Sequence, residues 1–280
     1  MSPEQIQTAK LINEATNKLL EKYGLPPFDI PEENIHVILK NFWKEPQFDA
    51  YFTQNHQEVN IKDKGSISNY AVKVFHEILH FKSYGAAQVL MGDKKILAEY
   101  RLGIKTASRD GDMIFFRNLN EAITERMTKK YAAELLSDPL FKKEQEETRK
   151  EKKKFPSKDL GDFYFMEEVD VRPLRNVIRR FLKIPQKTNS HYMAYGYSPK
   201  RKTFHNLVSK LFTKNPGKFK DETEGMELFE SAMMTGRLHG IGQLIDKTFP
   251  RKTTEEKGTF RKIGELGEDS KGLAEFVDAL

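Results

Sequence analysis

The 280-residue sequence contains no cysteine. Disulfide bonds and thiolate ligands are therefore excluded, and any transition metal must be held by histidine, aspartate or glutamate. No run approaches the roughly 18 consecutive apolar residues of a membrane helix. The N-terminus also lacks the basic and then apolar pattern of a signal peptide. From these absences we expect a soluble cytoplasmic protein with no membrane partner.

Neither sign of charge dominates the sequence. The 47 lysines and arginines are interleaved with 41 acidic residues, which leaves a net charge of +6. Such mixing is typical of solvated helices and does not favour nucleic acid as a partner. The densest mixed run, residues 142–154, is predicted to be an exposed helix or a linker. With 38% hydrophobic residues, the chain can form a sizeable core.

Periodicity and turn residues predict an α+β fold, with a strand-rich front half and an α-rich back half. We expect a division into residues 1–140 and 141–280. Helices are predicted over residues 3–23, 66–83, 119–137, 198–213, 223–235 and 237–248. Strands are predicted over residues 35–39, 50–53, 58–61, 86–91, 95–106 and 112–117. The extended run 50–61 could offer a sheet edge on which a peptide pairs as an added strand.

The segment His76-Glu77-Ile78-Leu79-His80 is an H-E-x-x-H motif within the predicted helix 66–83. Residues i and i+4 share one helix face, so both imidazoles can reach one ion. Glu77 lies beside them and can act as general base towards a metal-activated water. The alternative is a pair of surface histidines. A catalytic zinc site also needs a third protein ligand.

A second segment, Asn120-Glu121-Ala122-Ile123-Thr124-Glu125, lies at the start of the predicted helix 119–137. Together with H-E-x-x-H it resembles the gluzincin, or thermolysin-like, metallopeptidases, whose third ligand is a Glu in an Asn-Glu-x-x-(Ser/Thr)-(Asp/Glu) helix. The resemblance implies a zincin-like fold and one Zn²⁺ per chain, held by His76, His80 and Glu121. It also implies that Asn120 and Glu125 support the ligands, with Glu125 orienting a ligand histidine.

Both glutamates of this segment have simpler interpretations. Asn118 and Glu121 have the spacing of a capping box, and Glu125 could form a surface ion pair with Lys129. The interval between the two motifs is wider than in thermolysin-like enzymes, and the predicted strands 86–117 occupy it. A metzincin is disfavoured, because His80 is followed by Phe81-Lys82-Ser83-Tyr84 instead of a Gly and a third His.

The resemblance implies a zinc peptidase with Glu77 as general base and a peptide or protein as substrate. Gluzincins use a Tyr or His beyond the third ligand as a further donor, and the candidates here are His191, Tyr195 and Tyr197. Ordinary packing is the alternative for these three residues. Two other functions stay open: a catalytically silent zinc-binding interaction module and a basic nucleic-acid-associated protein. The oligomeric state is also open.

Overall fold

The computed structural model describes residues 1–45, 48–91, 95–154, 198–250, 253 and 257–280. The described residues form a mixed α+β structure, as predicted, and the zincin-like fold stays a prediction. The helices are α1 (Pro3–Lys22), α2 (Ile67–Lys82), α3 (Arg117–Leu135), α4 (Lys142–Lys154), α5 (Ser198–Lys214), α6 (Glu222–Thr235), α7 (His239–Thr248), α8 (Thr259–Glu265) and α9 (Ser270–Ala279). The strands are β1 (Ile35–Ile38), β2 (Ala50–Thr53), β3 (Glu58–Lys62), β4 (Gly85–Met91), β5 (Lys95–Leu102), β6 (Lys105–Ala107) and β7 (Ile114–Phe115).

The first sheet has the strand order β1-β3-β2, so β2 is an edge strand. β1 runs parallel to β3, and β2 runs antiparallel to it, as in the predicted hairpin. The backbone N–H of Lys62 donates to the carbonyl of Asp49 over 2.9 Å. Because antiparallel hydrogen bonding alternates along a strand, the main-chain groups of Ala50 and Phe52 point away from β3.

The second sheet is an antiparallel meander, β4-β5-β6-β7, which fills the chain between α2 and α3. The predicted strand 95–106 is in fact two strands, since Gly103 turns the chain with a φ of 60°. Asn120 of α3 holds this turn, because its Oδ1 accepts from the backbone N–H of Ile104 over 2.9 Å. The sheet is therefore attached to the helix that carries Glu121.

Helix α2 is the central element of the fold. It packs against α1, α3, β2 and β3, and Ile67 and Phe81 are its only positions that are not fully buried. Its N-cap is Ser66, as predicted. The run 142–154 is helical, and one of its carboxylates, that of Glu144, accepts from Ser66 Oγ and from the backbone N–H groups of Ile67 and Ser68 over 2.8–2.9 Å. Helix α4 therefore caps α2 instead of being only a solvated face.

The three helices predicted between residues 198 and 248 are present, and Gly236 separates α6 from α7 in the left-handed conformation. Helices α8 and α9 were not predicted. One cluster of buried apolar side chains contains residues from both sides of position 140, such as Phe75, Ile123, Phe204 and Met233. The division at that position stays a prediction. Among the described helices, none is long and apolar enough to cross a membrane.

Candidate metal centre

Three side chains from α2 and α3 converge on one point. His76 Nε2 lies 3.2 Å from His80 Nε2. The Glu121 carboxylate lies 3.6 Å from each of these nitrogens, through Oε2 to His76 and through Oε1 to His80. The two histidines are buried, and Glu121 is partly exposed. This group could hold a metal ion.

Glu125 lies one helical turn beyond Glu121, behind His76. It is fully buried, and its Oε1 is 3.2 Å from His76 Nδ1. Thr128 Oγ1 is 3.4 Å from the same nitrogen. A carboxylate at Nδ1 fixes the orientation of an imidazole and leaves Nε2 to face a ligand. Because Glu125 is buried, the expectation of a surface ion pair is wrong.

The electrostatics of the cluster follow from burial and mutual proximity. Burial alone would lower the pKa of His76, but Glu125 and Glu121 outweigh it and raise that pKa well above its usual value. Burial would raise the pKa of Glu121, but His80 and His76 hold it well below the usual range. The ionised Glu121 and a protonated His76 therefore stabilise each other, and metal binding at His76 would have to displace that proton.

Glu77 points into the same cleft from α2 but is not one of the three clustered residues. Burial raises the pKa of its carboxyl group, and Glu121 acts in the same direction. His76, His80 and the neighbouring backbone N–H of Phe52 oppose that rise. A carboxylate with a raised pKa is a better proton acceptor at neutral pH than an ordinary one.

Asp49, the residue before the edge strand β2, forms ion pairs with Lys64, which precedes α2, and with Lys73 of α2. Its carboxylate lies 2.7 Å from Lys64 Nζ and 3.3 Å from Lys73 Nζ, and Lys73 is one turn before Glu77 on α2. Burial would raise the pKa of Asp49, but these lysines lower it to about 2. Asp49 is therefore ionised at neutral pH and holds β2 beside the cleft.

The start of α3 differs from the expected capping box. The helix begins at Arg117, and its N-cap is Phe116, which has a φ of 61° and makes no side-chain cap. Asn118 Oδ1 instead accepts from Ser270 Oγ over 3.1 Å. The capping-box interpretation of Asn118 and Glu121 is therefore wrong. Asn120 holds the turn before β6, as described above.

The cluster lies in a cleft of about 400 Å³. Phe48 and the β2 residues Ala50, Tyr51 and Phe52 supply aromatic and apolar surface. Three basic side chains, from β6, α3 and α5, also line the cleft. The lining comprises Phe48, Ala50, Tyr51, Phe52, His76, Glu77, His80, Leu102, Lys105, Arg117, Asn118, Glu121, Lys200, Glu268 and Ser270.

Of the residues predicted to act, the structure brings together His76, Glu77, His80 and Glu121, with Glu125 behind them. His191, Tyr195 and Tyr197 lie outside the described residues. The basic residues of the cleft were not predicted. The sequence does indicate that Arg117 lies near the site, since it stands one turn before Glu121 on the same helix face. Nothing in the sequence indicates this for Lys200, because a helix distant in the chain brings it to the site.

Comparisons with protein-family models, with curated proteins and with solved structures found no match. The function must therefore be inferred from the chemistry of the cleft itself. The donors, their spacing and the carboxylate beside them are the features that decide it.

Proposed function

We propose that this chain is a zinc-dependent peptidase of the gluzincin type, with a zincin-like fold. The observation that carries the proposal is the position of Glu77. Its carboxylate lines the same cleft as the group formed by His76, His80 and Glu121, yet is separate from that group. A hydrolytic metal site needs three groups as metal ligands and a fourth, separate group as the general base.

The distances within the group fit zinc. Zn–N and Zn–O bonds of about 2.0–2.2 Å in tetrahedral geometry place neighbouring ligand atoms about 3.3–3.6 Å apart. The corresponding separations here are 3.2 Å between the histidines and 3.6 Å from each histidine to the nearer Glu121 oxygen, Oε2 for His76 and Oε1 for His80. Two imidazoles and one carboxylate also form a ligand set typical of catalytic zinc.

The residues of the chain divide the hydrolysis of an amide between them. When bound, zinc supplies Lewis acidity, which polarises a carbonyl and lowers the pKa of a water to about 7. Glu77 accepts the proton of the attacking water as the new C–O bond forms. It then donates that proton to the amide nitrogen as the C–N bond breaks. Glu125 keeps the ring of His76 in the orientation that directs Nε2 towards the cleft.

The position of the edge strand β2 favours a peptide as the substrate. The main-chain groups of Ala50 and Phe52 point away from β3, and both residues line the cleft. An extended peptide can pair with such an edge as an added strand. The backbone N–H of Phe52 already donates to Glu77, so the peptide would pair with the carbonyl of Phe52 and the main-chain groups of Ala50. Its scissile bond would then pass beside Glu77.

The test combines metal content, proteolysis and one substitution. Elemental analysis should find about one zinc per chain, as expected for a three-ligand site. The zinc-loaded protein should cleave members of a mixed peptide library, and a chelator should block the cleavage. Glu77→Gln should retain zinc and lower the cleavage rate about 10²–10⁴-fold, since that is the usual worth of a general base.

A matched control is Glu147→Gln, the same change at an exposed position of α4, which should keep full activity. Equal cleavage by wild type and Glu77→Gln would point to another base or to a contaminating protease. Zinc binding without cleavage by either protein would favour the zinc-binding interaction module.

A further inference from the structure

The cleft around the candidate metal centre has two chemically different walls. On the Glu77 side, β2 and its flank supply Phe48, Tyr51 and Phe52. Near Glu121, the lining carries Arg117 of α3 and Lys200 of α5. Lys105 of β6 also lies there, since the backbone N–H of the preceding residue is bound by Asn120 of α3. We call Lys105, Arg117 and Lys200 the basic wall. A substrate that crosses the centre must contact both walls, so its two halves face different chemistry.

The basic wall is built close to the candidate ligands. Lys200 is half-buried on the first turn of α5, where it interacts electrostatically with Glu121, Glu125 and Arg117. Arg117 precedes Glu121 by one helical turn, and its Nη1 lies 2.7 Å from Glu268 Oε1 at the cleft rim. Lys105 Nζ lies 2.7 Å from Glu99 Oε1. Each cation of the basic wall thus has a carboxylate close to it.

The charges in and around the cleft balance once a divalent metal is bound. The lining contains three carboxylates, Glu77, Glu121 and Glu268, and the three cations of the basic wall. A zinc ion leaves an excess of two positive charges while the histidines are neutral, and Glu125 behind His76 and Glu99 beside Lys105 offset both of them. The cleft as a whole therefore does not repel an anion, and the cations of the basic wall are the groups that attract one locally.

A second observation comes from Asn118, next to Arg117 on α3. Asn118 is buried and belongs to the lining of the cleft, and its Oδ1 accepts a hydrogen bond from Ser270 Oγ. Its Nδ2 has no hydrogen-bond partner among the described residues. A buried amide donor without a partner is unfavourable. The Nδ2 atom is covered in the described structure, so a carboxylate oxygen bound beside the basic wall would satisfy it after the Asn118 side chain turns towards the cleft.

We infer that the basic wall and Asn118 form a carboxylate-binding subsite, so that the preferred substrates are peptides with a carboxylate close to the scissile bond. The carboxylate belongs to an acidic side chain or to the C-terminus of the peptide. The opposite half of the substrate carries an aromatic or apolar side chain, which packs on Phe48 and Phe52. This inference rests on the proposed peptidase function and specifies its substrate class.

The experiment compares matched peptides drawn from sequences that the zinc-loaded wild-type protein cleaves. One pair differs only in Glu against Gln beside the cut. The other differs only in a C-terminal carboxylate against a C-terminal amide. In at least one pair, the charged member should be cleaved with a kcat/KM about tenfold higher, as expected for a hydrogen bond to a charged group. The pair that shows the difference identifies the source of the carboxylate.

The matched variants are Lys200→Gln and Lys202→Gln, two lysines of α5, of which Lys202 is exposed to solvent. In the peptide pair that shows the difference, Lys200→Gln should bring the ratio of the two kcat/KM values towards one. Lys202→Gln should leave this ratio at the wild-type value. The ratio is measured on one folded protein at a time, so a general loss of stability does not change it. Ratios near one in wild type, or a ratio that Lys200→Gln does not lower, would overturn the inference and leave the peptidase proposal standing.

If the wild-type protein cleaves no peptide, the peptidase proposal fails. The carboxylate-binding subsite is then tested by measuring peptide binding. Labelled Phe-Ala-Ala-Glu and Phe-Ala-Ala-Gln-amide are titrated with the zinc-loaded protein, and binding is followed by fluorescence anisotropy. Tighter binding of the acidic peptide, lost in Lys200→Gln and kept in Lys202→Gln, supports the subsite. Equal binding of the two peptides, or binding of neither, overturns it.

Discussion

Helices α2 and α3 supply the three candidate metal ligands, but their starts are held in different ways. Side chains hold α2, since Ser66 caps it and Glu144 accepts from its first N–H groups. Helix α3 has no side-chain cap and begins after a left-handed Phe116. Its start is held by the backbone of the last part of the chain, where Gly264 and Gly267 accept from Phe116 and Asn118 over 3.0 and 2.8 Å.

The difference shows that the two halves of the candidate site depend on different parts of the sequence. The histidines need only the local geometry of one capped helix. The position of Glu121 also depends on α8 and the turn between α8 and α9, more than 100 residues later. The ring of Phe116 packs on Phe260, with 4.6 Å between the ring centroids. Changes in that segment should therefore affect the metal centre without touching a ligand.

The largest effect is expected for Gly267→Ala. An added Cβ would lie 2.7 Å from the carbonyl oxygen of Ile114 and from the backbone nitrogen of Phe116, so the backbone itself must shift. We expect a loss of about 3 kcal/mol in the free energy of unfolding, at the upper end for overpacking, together with weaker zinc binding. Urea unfolding and competition with a zinc chelator would measure the two effects.

The control for this prediction is Gly240→Ala in α7, where an added Cβ meets no atom within 4 Å. Alanine is favoured over glycine in a helix, so this variant should be neutral or slightly more stable. If Gly267→Ala matched the control in both measurements, the start of α3 would not depend on the segment between α8 and α9.

The contrast also explains what could be predicted from the sequence. The H-E-x-x-H helix was predicted within one residue at each end, since its cap and periodicity are local. Glu121 was predicted by resemblance, and the structure places it beside the two histidines. The beginning of α3 was predicted two residues too late, because nothing in the chain marks Phe116 as an N-cap. The basic wall could not be predicted as a unit, because tertiary packing alone joins Lys200 to Arg117.

The next effect in size is expected for Glu125→Gln, which tests the α3 side without changing a ligand. A neutral amide stabilises the ring of His76 less than a carboxylate 3.2 Å from Nδ1. We expect zinc affinity to fall about 10–100-fold, the usual result of changing a residue that supports a metal ligand. Glu134→Gln, at an exposed position near the end of α3, is the control. Unchanged affinity in both variants would mean that Glu125 does not orient His76.

The smallest effect concerns the α2 side and depends on pH. Lys82, in the last turn of α2, is buried, and its Nζ donates to Asn17 Oδ1 of α1 over 2.8 Å. Burial lowers the pKa of Lys82 from 10.5 to about 8, although Asp29 opposes this. Between these two values the unfolded chain holds a proton that the folded chain has released. The free energy of unfolding must therefore rise with pH across this window.

Lys82→Met removes this titration. The difference in unfolding free energy, wild type minus variant, should increase by about 1–2 kcal/mol between pH 8 and pH 10, less than the full linkage value because solvent screens part of the charge. Urea unfolding at several pH values would measure it, with Lys10→Met on exposed α1 surface as the control. A difference that stays flat, or that falls as the pH rises, would show that Lys82 keeps its proton in the folded state. The contact between α1 and α2 would then contain a buried ammonium ion throughout this pH range. In that case the α2 side of the centre would contain a buried charge that its surroundings stabilise, as the α3 side contains Glu125.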